Sequence, residues 1–529
     1  MEMGEPNMNV LDNIVETCSK EILEEKTNIK QTLITMLSAW TNNPQNTRIL
    51  APSGEGKTYL VTKVASLFPE ENVVILAKAT PQSFKYAFSS KKVVEYSPGI
   101  WQDYEIAIQP LEEDFKKIKD DEKRQEIKNQ IRQLKDSACD LVDFTNKIII
   151  LVDSQSIQLF ESIKTTLSHD QYEIKSFSVN KSKSGTIQGQ KFIIRGFPAV
   201  IYCSAKDEQS LDITDEINTR FNTISLNSNP KKYRKMLELE AIRSSLPDSI
   251  YQEEVISYDE IEHLRNQVRE IIEQVRNYGE VLNPFGLGLE RLFKADGGFR
   301  TRQFKILNSN ITIHTLVNAK YRPKIIHDEI KVPVVTWTDI EESCNLIKEP
   351  REIQPYKIKF FNDCIRASIL EYGKEKQFVD GSTRCLTASE IADILTKKGR
   401  ATDRQKLQET FLKPLVSHGF LEEFTDPDNK SRHIYALGKT YLEEQASIES
   451  TLIDTSTLDL SCVDSFINEY LKQRFESGNL RIFDENNCEI TPDKLIELLH
   501  TIDTQHPQNR NEIDIIEAST SIENRDVIS

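Results

Sequence analysis

The chain of 529 residues carries 83 Asp and Glu against 67 Lys and Arg, a formal net charge of −16, with 38% apolar and 28% charged residues. That length accommodates about three domains, each with its own core. The balance excludes a surface basic all over, though not a nucleic-acid face where basic residues cluster. No apolar run reaches the roughly 20 residues a bilayer span needs, and the N-terminus has no signal-peptide pattern. The 8 cysteines are scattered with no Cys-x-x-Cys pair, which indicates neither a zinc site nor a disulfide framework. The expected compartment is reducing: cytoplasmic or nucleoid-associated.

In chain order, residues 9–40 predict helix, because Val10, Ile14, Cys18, Ile22, Ile29, Leu33, Met36 and Leu37 recur at helical intervals. Thr47-Arg48-Ile49-Leu50 then predicts a buried strand, and Tyr59 to Phe68 a helix. Between them stands Ala51-Pro52-Ser53-Gly54-Glu55-Gly56-Lys57-Thr58, the phosphate-binding loop in its required strand–loop–helix setting. Two glycines let the backbone curl so that its amides face inward at a helix N-terminus, which favours anions. Lys57 is placed to reach the β- and γ-phosphates, and Thr58 to ligate Mg²⁺. Residues Pro52, Ser53, Gly54, Glu55, Gly56, Lys57, Thr58 and Tyr59 form the expected ATP site.

Asn72 to Ala77 predicts a second buried strand, and 108–141 a charged, solvated helical insertion. Lys147 to Val152 is an apolar strand ending in Asp153, which is positioned at the strand's carboxyl end to hold Mg²⁺. The next residue is Ser154, where motor ATPases of this type carry a water-polarising Glu; Glu161 is a poor substitute two turns into the following helix. Tyr172 to Val179 and Thr186 to Ile194 predict a β-hairpin with a basic, turn-rich tip. Pro198 to Cys203 is an apolar strand ending in Ser204, and Arg220-Phe221 precedes a strand at 222–226. Adjacent Ser168, His169 and Asp170 cannot adopt a catalytic triad's geometry.

This order of P-loop, Asp-ended strand, hairpin, polar-ended strand, Arg-Phe and strand resembles an AAA+ ATPase over residues 40–325. The hairpin ahead of the Ser204 strand is similar to that of superfamily-3 and minichromosome-maintenance helicases and of phage, plasmid and archaeal helicase-primase-associated ATPases. The resemblance implies an α/β fold with a parallel sheet sandwiched by helices, followed by an α-helical lid. It makes Ser204 the sensor-1 residue and Arg220 an arginine finger acting on a neighbouring subunit; the alternative for Arg220 is a surface residue at a helix end. It makes the hairpin lysines, Lys181, Lys183 and Lys191 among them, DNA-backbone contacts lining a pore. The alternative is a solvated hairpin with lysine-protected edges. It also implies a homo-oligomer, hexameric in the resembling helicases, working with replication proteins and no membrane.

Residues 231–345 predict the lid, with Arg300 or Arg302 as sensor 2; the spacing does not choose between them. Pro323 and Lys348-Glu349-Pro350 suggest a linker. From 352 to 445 a helix, a second helix capped by Thr387 and Glu390, a third from Asp403, and a hairpin around Asp426 to Lys430 resemble a winged helix. Its basic face, including Arg404 and Lys406, suits DNA, with protein contact as the alternative. Residues 446–529 read as an acidic, partly disordered tail with a small helical element within 463–502. The whole predicts an ATP- and Mg²⁺-dependent, helicase-like DNA-replication ATPase. The alternative is an ATP-switched initiator of origin-recognition type with little or no hydrolysis.

Overall fold

A computed structural model describes residues 10–51, 54–153, 155–181, 187–204, 220–226, 230–293, 298–346, 360–378, 381–398, 403–417, 420–438 and 458–500. The chain divides into two compact units, Met1–Leu346 with Thr455–Ser529, and Ile347–Asp454. In the first unit the strands are, in order, β1 (Asn46–Leu50), β2 (Val73–Leu76), β3 (Ser89–Ser97), β4 (Ile100–Asp103), β5 (Cys139–Asp143), β6 (Ile148–Leu151), β7 (Glu173–Lys181), β8 (Ile187–Arg195), β9 (Ala199–Ser204) and β10 (Asn222–Ser225). Helices α1 (Val10–Cys18), α2 (Lys26–Leu37), α3 (Lys57–Ala65), α4 (Pro81–Phe88), α5 (Tyr104–Lys117), α6 (Asp121–Ser137) and α7 (Ile157–Ser168) are set among them.

Five of these strands form one parallel sheet in the order β10-β1-β9-β6-β2. Its central strands are apolar without alternation because both faces are covered. Ile148, Ile150, Ile201 and Cys203 face α1, α2, α3 and the later helices. Ile149, Leu151, Val200 and Tyr202 face α4 and α7. The mixed α/β architecture, a parallel sheet flanked by helices, is therefore as expected from the sequence.

The insertion and the hairpin, separate in the sequence reading, share a second sheet in the order β4-β3-β5-β8-β7. Insertion strand β5 runs parallel to hairpin strand β8, from Asp140 opposite Phe192 to Asp143 opposite Arg195. This sheet curls until its two outer strands meet. Trp101 Nε1 on β4 donates to Glu173 Oε1 on β7 at 2.7 Å, and Lys175 reaches Glu95 at 3.1 Å. Val93, Cys139, Leu141 and Ile193 fill the curl. Between β4 and β5, α5 and α6 form the charged arm the sequence anticipated; Ile108 is its one buried residue.

After β10 come the helices Pro230–Ser245, Asp248–Val255, Tyr258–Tyr278, Gly298–Val317 and Trp337–Leu346. Where Pro323 suggested a linker, a hairpin forms instead: β11 (Lys324–His327) pairs with β12 (Ile330–Pro333). Its two-residue turn has Asp328 and Glu329 at φ 48° and 65°, the backbone a tight hairpin requires.

The second unit contains a helix through Phe361–Arg366 and Ala367–Tyr372, β13 (Lys374–Phe378), β14 (Gly381–Thr387), the helix Ala388–Lys397, a helix from Arg404 to Ser417, and the hairpin β15 (Leu421–Asp426) and β16 (Asn429–Leu437). Its sheet order is β13-β14-β16-β15. The predicted capping box is present, with Glu390 N–H bonded to Thr387 Oγ1 at 3.2 Å and Thr387 N–H to Glu390 Oε2 at 2.9 Å. The sequence reading did not foresee β13.

Residues 458–500 then return to the first unit. They carry helix Ser461–Phe466 and its continuation to Glu476, β17 (Leu480–Phe483) and helix Pro492–His500. Strand β17 pairs antiparallel with β11, and Ile482, opposite Ile325, is fully buried. A segment given only a small helical element from its sequence thus supplies the third strand of a sheet. The described unit in the winged-helix position is accordingly inserted between two parts of the first unit. The remaining tail, 501–529, lies outside the described residues.

Candidate nucleotide site

Strand register brings three strand ends level. Leu50 pairs with Ser204, and Leu151 pairs with Tyr202, so Asp153, two residues beyond Leu151, stands level with Ser204. Adjacent strands lie about 4.8 Å apart. From β1 the chain crosses to β2 at one edge, whereas from β9 it crosses over β1 to β10 at the other. The crevice between β1 and β9 is therefore a topological switch point, where ligands bind α/β sheets beyond the strands' carboxyl ends.

The phosphate-binding loop occupies that crevice. Gly54 and Gly56 both have φ +88°, a left-handed backbone that side chains resist, and a Cβ at either would meet nothing within 4 Å. Gly56 is the N-cap of α3, whose first turn carries no side-chain cap and so presents its amides to an anion. Lys57 is 8% exposed and its Nζ donates to the Ala51 carbonyl at 2.6 Å. Burial lowers its pKa, against the opposing pull of neighbours that include Glu55. Thr58 and Asp153 are both exposed at this end, and Ser204 is buried. Pro52, Ser53 and Ser154 lie outside the described residues. Among the described residues no group of three His, Cys, Asp or Glu could hold a metal by itself. A site of one hydroxyl and one carboxylate fits Mg²⁺, which is bound through few protein ligands with substrate phosphates and water completing its shell.

Two residues absent from the sequence reading organise this site. Gln155, 4% exposed, donates to the Asp153 carbonyl at 2.7 Å and the Ala77 carbonyl at 2.8 Å, and accepts from the Ala79 N–H at 2.9 Å. It ties the Asp153 loop to the segment leading into α4. Lys232, on the helix after β10, reaches the loop residue Glu55. No periodicity or spacing marks either contact, since both join segments far apart in the chain.

Arg220 lies at the opposite end of the sheet. It precedes Asn222, which pairs with Thr47 near the start of β1, and its Nη1 donates to the Lys164 carbonyl in α7 at 3.1 Å. Arg302 lies at that end too. Along helix Gly298–Val317, Asn310 bonds Gln45 just before β1 at 2.6 Å, and Ser309 bonds the Asn43 carbonyl. Lys305 acts on His169, itself bonded to Asn43; Arg302 is about one turn further on. Neither arginine approaches Lys57 of its own chain. The Arg300 side chain lies outside the described residues, and Glu161 is exposed, beside Lys164.

The residues expected to contact DNA separate similarly. Lys191 donates to the Asp136 carbonyl at the end of α6, at 2.8 Å, so it is engaged within the second sheet and its arm. Lys175 pairs with Glu95, and Arg195 with Glu173. Lys183 and the Lys181 side chain lie outside the described residues. Arg404 and Lys406 are exposed on the first turn of their helix, whose N-cap Asp403 accepts from the Lys406 N–H at 2.9 Å.

No family model matches the chain, and no curated protein matches it. Among solved structures, a full-length MCM homolog from Methanopyrus kandleri is similar at 8% identity and a TM-score of 0.31, over 65% of this chain and 62% of that one. The chain thus spans less than two thirds of that homolog's length. The Drosophila ORC bound to DNA is similar at 12% identity and a TM-score of 0.18, over 83% of this chain and 91% of that one. Similarity at this level carries no argument about the chain's activity.

Proposed function

We propose that the chain is an Mg-ATP-dependent, AAA+-type DNA-processing ATPase of helicase-like character, acting in replication of a genome or mobile element. The observation that carries the reading is the loop Gly54 to Thr58 at the switch point, level with Ser204 and Asp153 on adjoining strands. Lys57 and the amides of Gly56 and the first turn of α3 would hold the β- and γ-phosphates, Tyr59 following in the same turn. Thr58 and Asp153 would hold Mg²⁺, which when bound neutralises phosphate charge. Ser204, buried between the two strand ends, would hydrogen-bond near the terminal phosphate as sensor 1. Arg220 and Arg302, remote from their own loop, would serve a neighbouring subunit's nucleotide, which implies a homo-oligomer. Arg300 and Arg302 both stay candidates for the sensor-2 role.

DNA would be met by the hairpin tip, through Lys181 and Lys183, and by the inserted unit. Three helices and the β15–β16 hairpin support reading that unit as a winged helix, with Arg404 and Lys406 on the exposed first turn of the third helix. A lysine, with a compact charge on a long side chain, suits sequence-independent phosphate contact.

A second reading, the ATP-switched initiator, is favoured by the residues after Asp153. Ser154 is no base, the Gln155 amide is committed to backbone groups, and Glu161 faces Lys164. Steady-state hydrolysis with and without single-stranded DNA separates the two. Turnover stimulated by DNA, abolished by Lys57→Ala and uncoupled by Lys183→Ala, supports the motor. Tight Mg-ATP binding without turnover refutes it and leaves the switch.

A further inference from the structure

We infer that Lys232 is a positioning residue of the phosphate-binding loop, holding one loop peptide in its anion-binding orientation; the inference rests on the nucleotide reading above. Helix Pro230–Ser245 begins five residues after β10 ends, and its first turn lies against the loop. The Lys232 side chain is 4% exposed. Its Nζ donates to Glu25 Oε1 at 2.8 Å and to the Glu55 main-chain carbonyl at 3.2 Å, and stands 3.8 Å from Glu55 Oε2. The next residue, Tyr233, donates its hydroxyl to Glu55 Oε1. Glu25 is anchored in turn by Asn28, which also donates to the Ser225 carbonyl at the end of β10, at 3.0 Å. The ammonium is thus fixed from the sheet, from α2 and from the loop.

The consequence follows from peptide geometry. In a planar trans peptide the C=O and the following N–H point in opposite directions. Holding the Glu55 carbonyl on Lys232 therefore turns the Gly56 N–H away from Lys232, at the N-cap of α3 where an anion is received. Gly56, at φ +88° and without a Cβ contact, has little to hold it there by itself. A buried lysine between two carboxylates is also a poor way merely to fill space. Desolvating each ion is costly, and apolar residues of similar volume are often as stable. Because Lys232 belongs to the helix that opens the lid, movement of that helix would act directly on the loop peptide.

Two double variants of the full chain test this at matched charge. Lys232→Gln with Glu25→Gln keeps a donor for the Glu55 carbonyl, and Lys232→Met with Glu25→Gln removes it. Mg-ATP and Mg-ADP affinities are read by calorimetry, beside the melting temperature without nucleotide. The Gln variant is expected to bind within about threefold of wild type and the Met variant about tenfold or more weaker, with similar melting temperatures. Equal affinities in the two variants overturn the inference while leaving the nucleotide site intact. A Met variant that unfolds where the Gln variant folds makes Lys232 a structural support only, and also overturns it. Wild type that binds neither nucleotide refutes the nucleotide reading itself, a distinct result.

Discussion

Gln155 offers the sharpest test of how the Asp153 loop is held. Gln155→Leu preserves volume and removes three hydrogen bonds, leaving the carbonyls of Asp153 and Ala77 and the Ala79 N–H without their partner. A buried backbone group stripped of its partner costs about 1–3 kcal/mol. Asp153 is exposed, so water recovers part of its share, and the expected loss is about 2–5 kcal/mol of unfolding free energy, measured by urea titration. Partners that orient a metal's ligands change affinity about 10- to 100-fold when removed. The Mg²⁺ concentration giving half-maximal nucleotide binding should rise correspondingly. Gln155→Glu keeps the acceptor for Ala79 but faces two carbonyls with a carboxylate, and it should show the same Mg²⁺ defect. A Leu variant within about 1 kcal/mol of wild type, with its Mg²⁺ midpoint unchanged within twofold, would refute the clamp.

Gly56→Ala meets no steric obstacle but must hold φ +88°, a left-handed conformation costing about 1–2 kcal/mol; calorimetry should show Mg-ATP affinity roughly tenfold weaker in a chain that still folds. His314 is fully buried, and neither ring nitrogen has a hydrogen-bond partner among the described residues. Burial holds its pKa well below 6.5, with Lys30 and Arg322 adding to the effect. The native imidazole stays neutral while the unfolded one gains a proton below about pH 6.5. Its contribution is therefore complete above that pH and declines on acidification, by up to about 1.4 kcal/mol per pH unit. His314→Leu should flatten the fall in urea midpoint between pH 7 and pH 5, and an unchanged slope would refute this. A Cβ at Gly288 would come within 2.7 Å of Cys462 Sγ, so Gly288→Val should loosen residues 458–500 and expose them to limited proteolysis.

Much of the first unit was legible because its signals are local. The phosphate-binding loop is set by contiguous residues: two glycines for the left-handed turns, a lysine, and an apolar strand and helix on either side. The capping box at Thr387 and Glu390 spans one turn, and the β7–β8 pairing follows from two alternating runs joined by turn-forming residues. These features need few contacts from elsewhere. Strand order does not share that property. The central strands are apolar on both faces, so nothing in their pattern says that Ser204 stands between Leu50 and the Asp153 strand.

Only tertiary structure decided how distant segments meet. The curled sheet depends on β5 pairing with β8 across about fifty residues, and on Trp101 reaching Glu173. The fate of 458–500 depends on an edge of β11 that the chain reaches only after the whole inserted unit. Its acidic, polar composition concealed the buried apolar positions that dock it, among them Val463, Ile467, Leu480, Ile482 and Leu495. Lys232 and Gln155 act through main-chain carbonyls and amides, which every residue carries and no residue pattern distinguishes. The same limit applies to Arg220 and Arg302. Their charge is evident in the sequence, but their position at the far end of the sheet follows from the direction of β10 and the packing of helix Gly298–Val317. The sequence by itself determined the chemistry of the loop; the fold determined which carboxylate, amide and ammonium surround it.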